Sequence, residues 1–273
     1  MICLATMHKK EQVIAPILAH ELADSIIVPS GFDSNQFGTF HGSISRKKSA
    51  KSTVKEKCLT AMNQFGFHKG LASEGSFGPH PSIPFLPYNE EWIVYIDLDQ
   101  DLEIYGKYAS SETNYWTGEV SSIKELEERA KNLLFPDHNL ILSANEEGKS
   151  VFKKDFNSWE TLKDSGYQLL RTNETISVQT DMRAMNNPTR MKNIAKATRA
   201  LVDNYRSKCP QCEKSGFSVT NTVAGLPCQL CQFPSKMALS LIYQCSHCNF
   251  KEERDRPDGL KSIEPQYCDY CNP

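Results

Sequence analysis

Eight of the ten cysteines fall into four Cys-x-x-Cys pairs, Cys209/Cys212, Cys228/Cys231, Cys245/Cys248 and Cys268/Cys271. A Cys-x-x-Cys turn aims two thiolates at one point, and two such turns complete a tetrahedral shell of four sulfurs. Zinc suits that shell because it is borderline-soft and has no redox chemistry of its own. The pairs therefore predict two structural zinc ions, with disulfide-type pairs or unpaired core thiols as the alternative. Four-sulfur shells leave no position for water, so they point to structure and not catalysis.

Gaps of 15, 13 and 19 residues separate successive pairs. Sequential wiring makes two consecutive zinc ribbons, first pair with second and third with fourth. Interleaved wiring makes one cross-braced unit. The hairpin-sized stretches GFSVTNTVAG and NFKEERDRPDG in the outer gaps favour the sequential form. Residues 188–273 carry twelve Lys/Arg against eight Asp/Glu. Eight thiolates on two Zn²⁺ cancel that excess, a poor footprint for phosphate backbones. Nucleic acid is thus the less favoured partner.

Three constellations in the first two thirds of the chain could do chemistry. In Ser73-Glu74-Gly75-Ser76-Phe77-Gly78-Pro79-His80, small residues let backbone N–H groups approach an anion. Glu74 could hold a metal or act as a base there, and His80 could shuttle a proton. Asp97, Asp99 and Asp101 alternate along a strand end, where Asp97 could hold Mg²⁺ or simply shape a solvated turn. The third runs from Thr180 to Arg190. Its helix N-terminus offers N–H groups, with Arg183 and Arg190 nearby, while a salt bridge from Asp181 to either arginine is the rival account. His8, Lys9 and Lys10 after the first strand form a weaker phosphate candidate.

Strands and helices must position these groups. Ile2–Met7 reads as a buried strand, and residues 9–23 as a helix with Ile14, Ile17, Leu18 and Leu22 in its stripe, although Pro16 falls inside. Residues 25–29 read as a second strand. A loop then ends in Arg46, Lys47 and Lys48. Residues 49–65 read as a helix with Val54, Cys58, Leu59, Ala61 and Met62 inward. Residues 69–87 predict a strand running into a Gly/Pro-rich loop, followed by a hairpin from 90–98 and 102–108. Helices over 122–134 and 157–170, and strands over 139–143 and 175–180, follow. From Asn187, with Pro188 at the first helical position, an amphipathic helix leads to the cysteines. The fold class is α/β: a mixed-sheet domain over 1–186, a bridging helix over 187–207 and a zinc-ribbon-like module over 208–273.

Two resemblances attach to these residues. ICLATMHKKEQVIAPIL, VPSGF, GLASEGSFGPHPSIPFLP, QTDMRAMNNPTRM and the terminal CDYCNP resemble, nearly end to end, a bacterial family known only as a domain of unknown function. Residues 3–110 also resemble inosine/xanthosine triphosphatases. Those enzymes place a strand-end Thr, Asn and Lys around the nucleotide's phosphates and an acidic residue on Mg²⁺. The resemblance implies phosphate-binding roles for Thr6 and its neighbours and a metal role for Glu74. His8 stands in place of the Asn, Lys10 one position before the Lys, and Ser76 in place of a Gly.

Hydrophobic content of 39%, charged content of 23% and net charge −2 describe an ordinary globular chain, not a polyanion binder. No apolar run is long enough for a membrane helix, and MICLATMHKKEQ is no secretory signal. Paired thiols without an export signal point to a reducing cytoplasm and no membrane partner. Two functions follow as expectations. One is a Mg²⁺-assisted nucleotide or phosphate-ester hydrolase: Glu74, His80 and Asp97 form the catalytic set, and Thr6, His8, Lys10, Ser73, Ser76, Asp181, Arg183 and Arg190 hold an anionic or nucleotide ligand. The other is a non-catalytic zinc-ribbon adaptor for a partner protein or nucleic acid.

Overall fold

The computed structural model describes residues 1–38, 48–146 and 148–273. Arg46 and Lys47 of the predicted basic loop lie outside these residues. The chain divides into two compact units, Met1–Tyr95 with Gly106–Leu201, and Ile96–Tyr105 with Val202–Pro273.

In the first unit, β1 (Ile2–Ala5) is buried at every residue and runs parallel to both β2 (Ile26–Ile27) and β3 (Lys69–Pro79). Burial on both faces is why ICLA is continuously apolar rather than alternating. Helix α1 (Glu11–Leu22) is unbroken at Pro16. That proline is exposed and the carbonyl it orphans belongs to exposed Gln12, so water can serve it. Helix α2 (Ala50–Phe65) starts at the Ser49 cap and ends at Gly66 in the left-handed region. Its buried stripe includes Lys57 and Cys58, while Leu59, expected inside, is exposed.

Strands β4 (Pro87–Asp97) and β5 (Leu102–Ser110) complete a five-stranded sheet ordered β2-β1-β3-β4-β5. Of the strand and Gly/Pro-rich loop expected over residues 69–87, the strand takes up everything as far as Pro79. Gly75 is there for close approach and not for a turn. A Cβ on it would lie 2.5 Å from Arg190 Nη2 and 2.7 Å from Glu91 Oε1.

A second sheet, ordered β6-β9-β7-β8 and antiparallel throughout, is built from β6 (Thr117–Val120), β7 (Leu140–Glu146), β8 (Lys149–Lys153) and β9 (Ile176–Thr180). Helices α3 (Ile123–Asn132) and α4 (Trp159–Leu170) bring Leu126, Ala130, Leu162 and Leu169 into its core with Leu140, Leu142 and Val178. Ser122 and Ser158 cap them as their spacing predicts. Helix α5 (Pro188–Arg206) then leads into the antiparallel sheet β10 (Phe217–Ala224), β11 (Ala238–Cys245) and β12 (Lys251–Asp255).

Gly75→Ala is expected to cost about 1–3 kcal/mol in chemical denaturation, because the added methyl overpacks a buried ion pair. Gly78→Ala on the same strand, where a Cβ meets nothing within 4 Å, is expected to be near neutral.

Candidate functional site

The last register pair of β1 and β3 is Ala5 with Ala72, so Thr6 follows at the carboxyl end of β1 and Ser73 part-way along β3, where its parallel neighbour stops. That edge is where open α/β sheets bind ligands. The chain leaves β1 through His8 and Lys9, both in the left-handed region at φ 67° and 59°. Two consecutive non-glycine residues there store backbone strain of about 1–3 kcal/mol each, which the surroundings must hold in place.

Lys10 follows and turns inward. Its Nζ donates to Ser73 Oγ at 3.1 Å and lies 3.5 Å from the Ser73 carbonyl. Lys57 enters from α2, donating to the same carbonyl at 3.3 Å and pairing with Glu74. Arg190 enters from α5 and pairs with Glu91 of β4, Nε to Oε1 at 2.8 Å, with both side chains fully buried. Its guanidinium also donates to the Met182 carbonyl and lies 5.0 Å from the Phe77 ring centre.

The charges divide unevenly. Arg190 is matched by Glu91 and Lys57 by Glu74, whereas among the described residues Lys10 hydrogen-bonds to Ser73 alone. Burial, then Arg190 and Lys57, push the Lys10 amine down to about 7 against the pull of Glu74 and Glu91. Burial, then Lys10, Arg190 and Arg183, hold His8 at about 4, so its ring is neutral at physiological pH. Burial would raise the Glu74 carboxyl, yet Lys57 and Lys10 hold it below the usual carboxylate range.

The other predicted residues have local duties. Thr6 Oγ1 donates to the Met7 carbonyl at 3.0 Å, and the Ser76 carbonyl accepts from Asn89. His80 Nδ1 accepts from the Ser82 N–H at 3.1 Å, with its ring edge-on to Tyr88. Asp97 Oδ1 accepts from the backbone of Asp99 and Gln100, shaping the β4–β5 turn within the second unit. Asp181 is fully buried and binds Arg183 through Nε and Nη2, while Asp155 takes the other side of that guanidinium. The first N–H groups of α5 are already bonded: Arg190 N to Asn187 Oδ1, Thr189 N to His138 Nε2. Lys57, Glu91 and His138 escaped the sequence reading. Lys57 alone left a trace, since it falls three residues after Val54 and four before Ala61 on the buried stripe.

In the second unit the cysteines gather as Cys209, Cys212, Cys245, Cys248 and as Cys228, Cys231, Cys268, Cys271. The wiring is interleaved, not sequential. The β10–β11 hairpin encloses the second cysteine pair in its connection, and its open end pairs Phe217 with Cys245. The first and third pairs therefore meet, and the second meets the fourth where Cys228 bridges to Ile263. Neither expected hairpin forms: each outer gap holds a single strand.

Sulfurs across each centre are 3.6–3.9 Å apart. A disulfide needs about 2.05 Å. A tetrahedron with metal–sulfur bonds of ~2.3 Å has an edge of about 3.8 Å. Both centres could hold a metal ion. Glu213, Gln232 and Asn249, each following the second cysteine of its pair, take φ near 60°. Their N–H groups donate back to Cys209, Cys228 and Cys245, so three knuckles share one geometry.

Fold and site thus define an α/β protein with a buried ionic cluster and a cross-braced pair of four-cysteine centres. The chain belongs to the family described as Domain of unknown function (DUF6671), whose model matches residues 57–273. Comparison with curated proteins and with solved structures returned no match.

The uneven charge has a measurable consequence. Lys10 is protonated in both states below about pH 7, so its cost to the fold is greatest there. Between about 7 and 10.5 the unfolded chain holds a proton that the fold has released, and stability rises with pH. Lys10→Met is expected to be more stable than wild type at pH 6, by up to roughly 4 kcal/mol. The gap between the two in urea melts is expected to close toward pH 10.

Proposed function

We propose that the first unit binds a phosphate-bearing small molecule at the carboxyl end of β1, beside Ser73 and Glu74 of β3, and hydrolyses a nucleotide or phosphate ester with Mg²⁺ held at Glu74. The observation that carries this reading is Lys10, a buried amine beside two other cations whose hydrogen-bond partner among the described residues is Ser73. An anion supplies the missing charge. Glu74 suits the metal because Lys57 and Lys10 keep it ionised and its side chain is 12% exposed, whereas Glu91 is sealed at 0%. A bound Mg²⁺ would neutralise charge developing on the phosphoryl oxygens. Lys57 and Arg190 supply a fixed positive field from two helices, and neutral His8 lies at the same strand end.

The second unit is a structural zinc module in this reading. All-sulfur shells select a soft or borderline ion, and the centres are closed by four cysteines each. Thiolate ligands suit a reducing compartment such as the cytoplasm, and no helix among the described residues is long and apolar enough to cross a membrane. A partner-binding adaptor role has its own support. Leu230, Phe233, Tyr267 and Tyr270 are largely exposed around the second centre, with the Phe233 and Tyr270 rings stacked at 5.3 Å.

Incubation with a panel of nucleoside triphosphates and Mg²⁺ is expected to release phosphate or pyrophosphate. Glu74→Gln is expected to lower kcat at least ~100-fold. Turnover unchanged in that variant, or none across the panel, counts against the hydrolase. Native mass spectrometry is expected to find two Zn²⁺ per chain. Exhaustive chelation is expected to abolish hydrogen-exchange protection in β10 and β11; protection that survives rejects the structural role.

A further inference from the structure

We propose that the ligand of the first unit is a nucleoside triphosphate. Its base sits in a cavity between Gly78 of β3 and Tyr88 of β4, and its phosphates run along the same sheet face to Glu74. This deepens the nucleotide reading above and rests on it.

The two faces of the sheet have different neighbours. Side chains alternate along a strand, and Gly75 and Glu91 lie against Arg190 of α5. Glu74, Ser76 and Gly78 therefore belong to the opposite face, as do Tyr88, Glu90 and Trp92 of β4. Helix α2 reaches that face: Lys57 pairs with Glu74, and Lys51 Nζ lies 5.7 Å from the Trp92 ring centre.

Further along the same face is a cavity of about 320 Å³, whose lining includes Ser76, Gly78, Pro81, Tyr88 and Glu90. Small-molecule sites run from about 300 to 1,000 Å³, so this one suits a single planar heterocycle. Tyr88 forms one wall, and His80 packs edge-on to it with ring centres 4.9 Å apart. A ring held in this way offers a fixed surface on which any base can stack. Glu90 pairs with Lys107 through Oε1 and accepts from Trp92 Nε1 through Oε2 at 3.5 Å. A carboxylate has about four acceptor sites, so capacity remains for an N–H on a base edge.

Gly78 separates a ligand site from a solvated sheet face. Glycine weakens a strand interior and marks places where another group approaches closely. At Gly75 that group is the Arg190–Glu91 pair, whereas a Cβ on Gly78 would meet nothing within 4 Å. A bound ring is what the space over Gly78 accommodates.

Between this cavity and Glu74 the face is cationic. Lys107 Nζ lies 5.0 Å from the Trp92 ring centre, so two exposed ammonium groups flank the path that a phosphate chain would follow. Length then selects among anions. Gly78 is four residues beyond Glu74, about 13 Å at the rise of a strand. The phosphate chain and ribose of an extended nucleoside triphosphate bridge that span; a simple phosphate ester does not.

The test measures binding to the full-length protein by calorimetry, with Ca²⁺ in place of Mg²⁺ to hold back turnover. The ligands are inorganic tripolyphosphate, ATP, GTP, CTP and UTP. At least one nucleotide is expected to bind ~5-fold or more tightly than tripolyphosphate, the contribution of a stacked base. Tyr88→Ala and Gly78→Val are each expected to remove that advantage while tripolyphosphate affinity stays within about twofold of wild type. Tyr88→Phe is expected to keep it, and thermal melts check that all of these variants fold. Nucleotides that bind no more tightly than tripolyphosphate overturn the base site and leave the phosphate site standing. An advantage that survives both Tyr88→Ala and Gly78→Val does the same. No binding of any of these ligands rejects the underlying reading.

Discussion

A guanidinium taken wholly out of water has to be matched, and the pairing of Arg190 with Glu91 is the constraint on which the first unit is built. The two residues are 99 positions apart in sequence and both are fully buried. Leaving either charge alone would cost about 3–5 kcal/mol. That requirement joins α5 to β4 and excludes any side chain at Gly75. It also brings Phe77 under the guanidinium and directs Nη1 to the Met182 carbonyl. Asn187 and His138 then close the start of the helix whose third residue is Arg190.

With that pair settled, the remaining polarity of the site follows from counting charges inside a low-dielectric wall. Lys57 pairs with Glu74, and among the described residues Lys10 bonds a hydroxyl and a carbonyl. In water such an excess would be trivial; at this depth it sets the state of the amine and of the neutral His8 ring beside it. The second unit solves a different problem. Its apolar clusters are small, Leu226 and Ile263 around one centre and Phe217 around the other, and they are built largely from the cysteines themselves. The two four-cysteine groups, which could each hold a metal ion, thus lie at the middle of these small clusters.

Much of the secondary structure was legible in advance. The caps Ser49, Ser122 and Ser158 and the Asn187-Pro188 start mark real helix boundaries because capping is a local interaction. Three strands among the described residues escaped, Ala238–Cys245 between the expected hairpins being one. Thr117–Val120 is four residues long and contains a glycine, and Lys149–Lys153 alternates too weakly to stand out. The SEGSFGP stretch was misread for an instructive reason. Its glycines and serines look like turn residues, but Gly75 is small because Arg190 and Glu91 occupy the space above it. A sequence reports that a residue is small without saying what it makes room for.

The order of residues alone marked the eight cysteines that gather into two groups able to hold metal, and the α/β character of the first two thirds. Each rests on spacing within a few positions, which short-range geometry makes readable. Which cysteines share a centre was decided by the β10–β11 hairpin, since strand pairing brings together groups that spacing keeps apart. Likewise, tertiary structure assigned Glu91 to Arg190 and left Lys10 facing Ser73. Partners in a buried network are chosen by burial and proximity across the fold, and neither quantity is local to the chain.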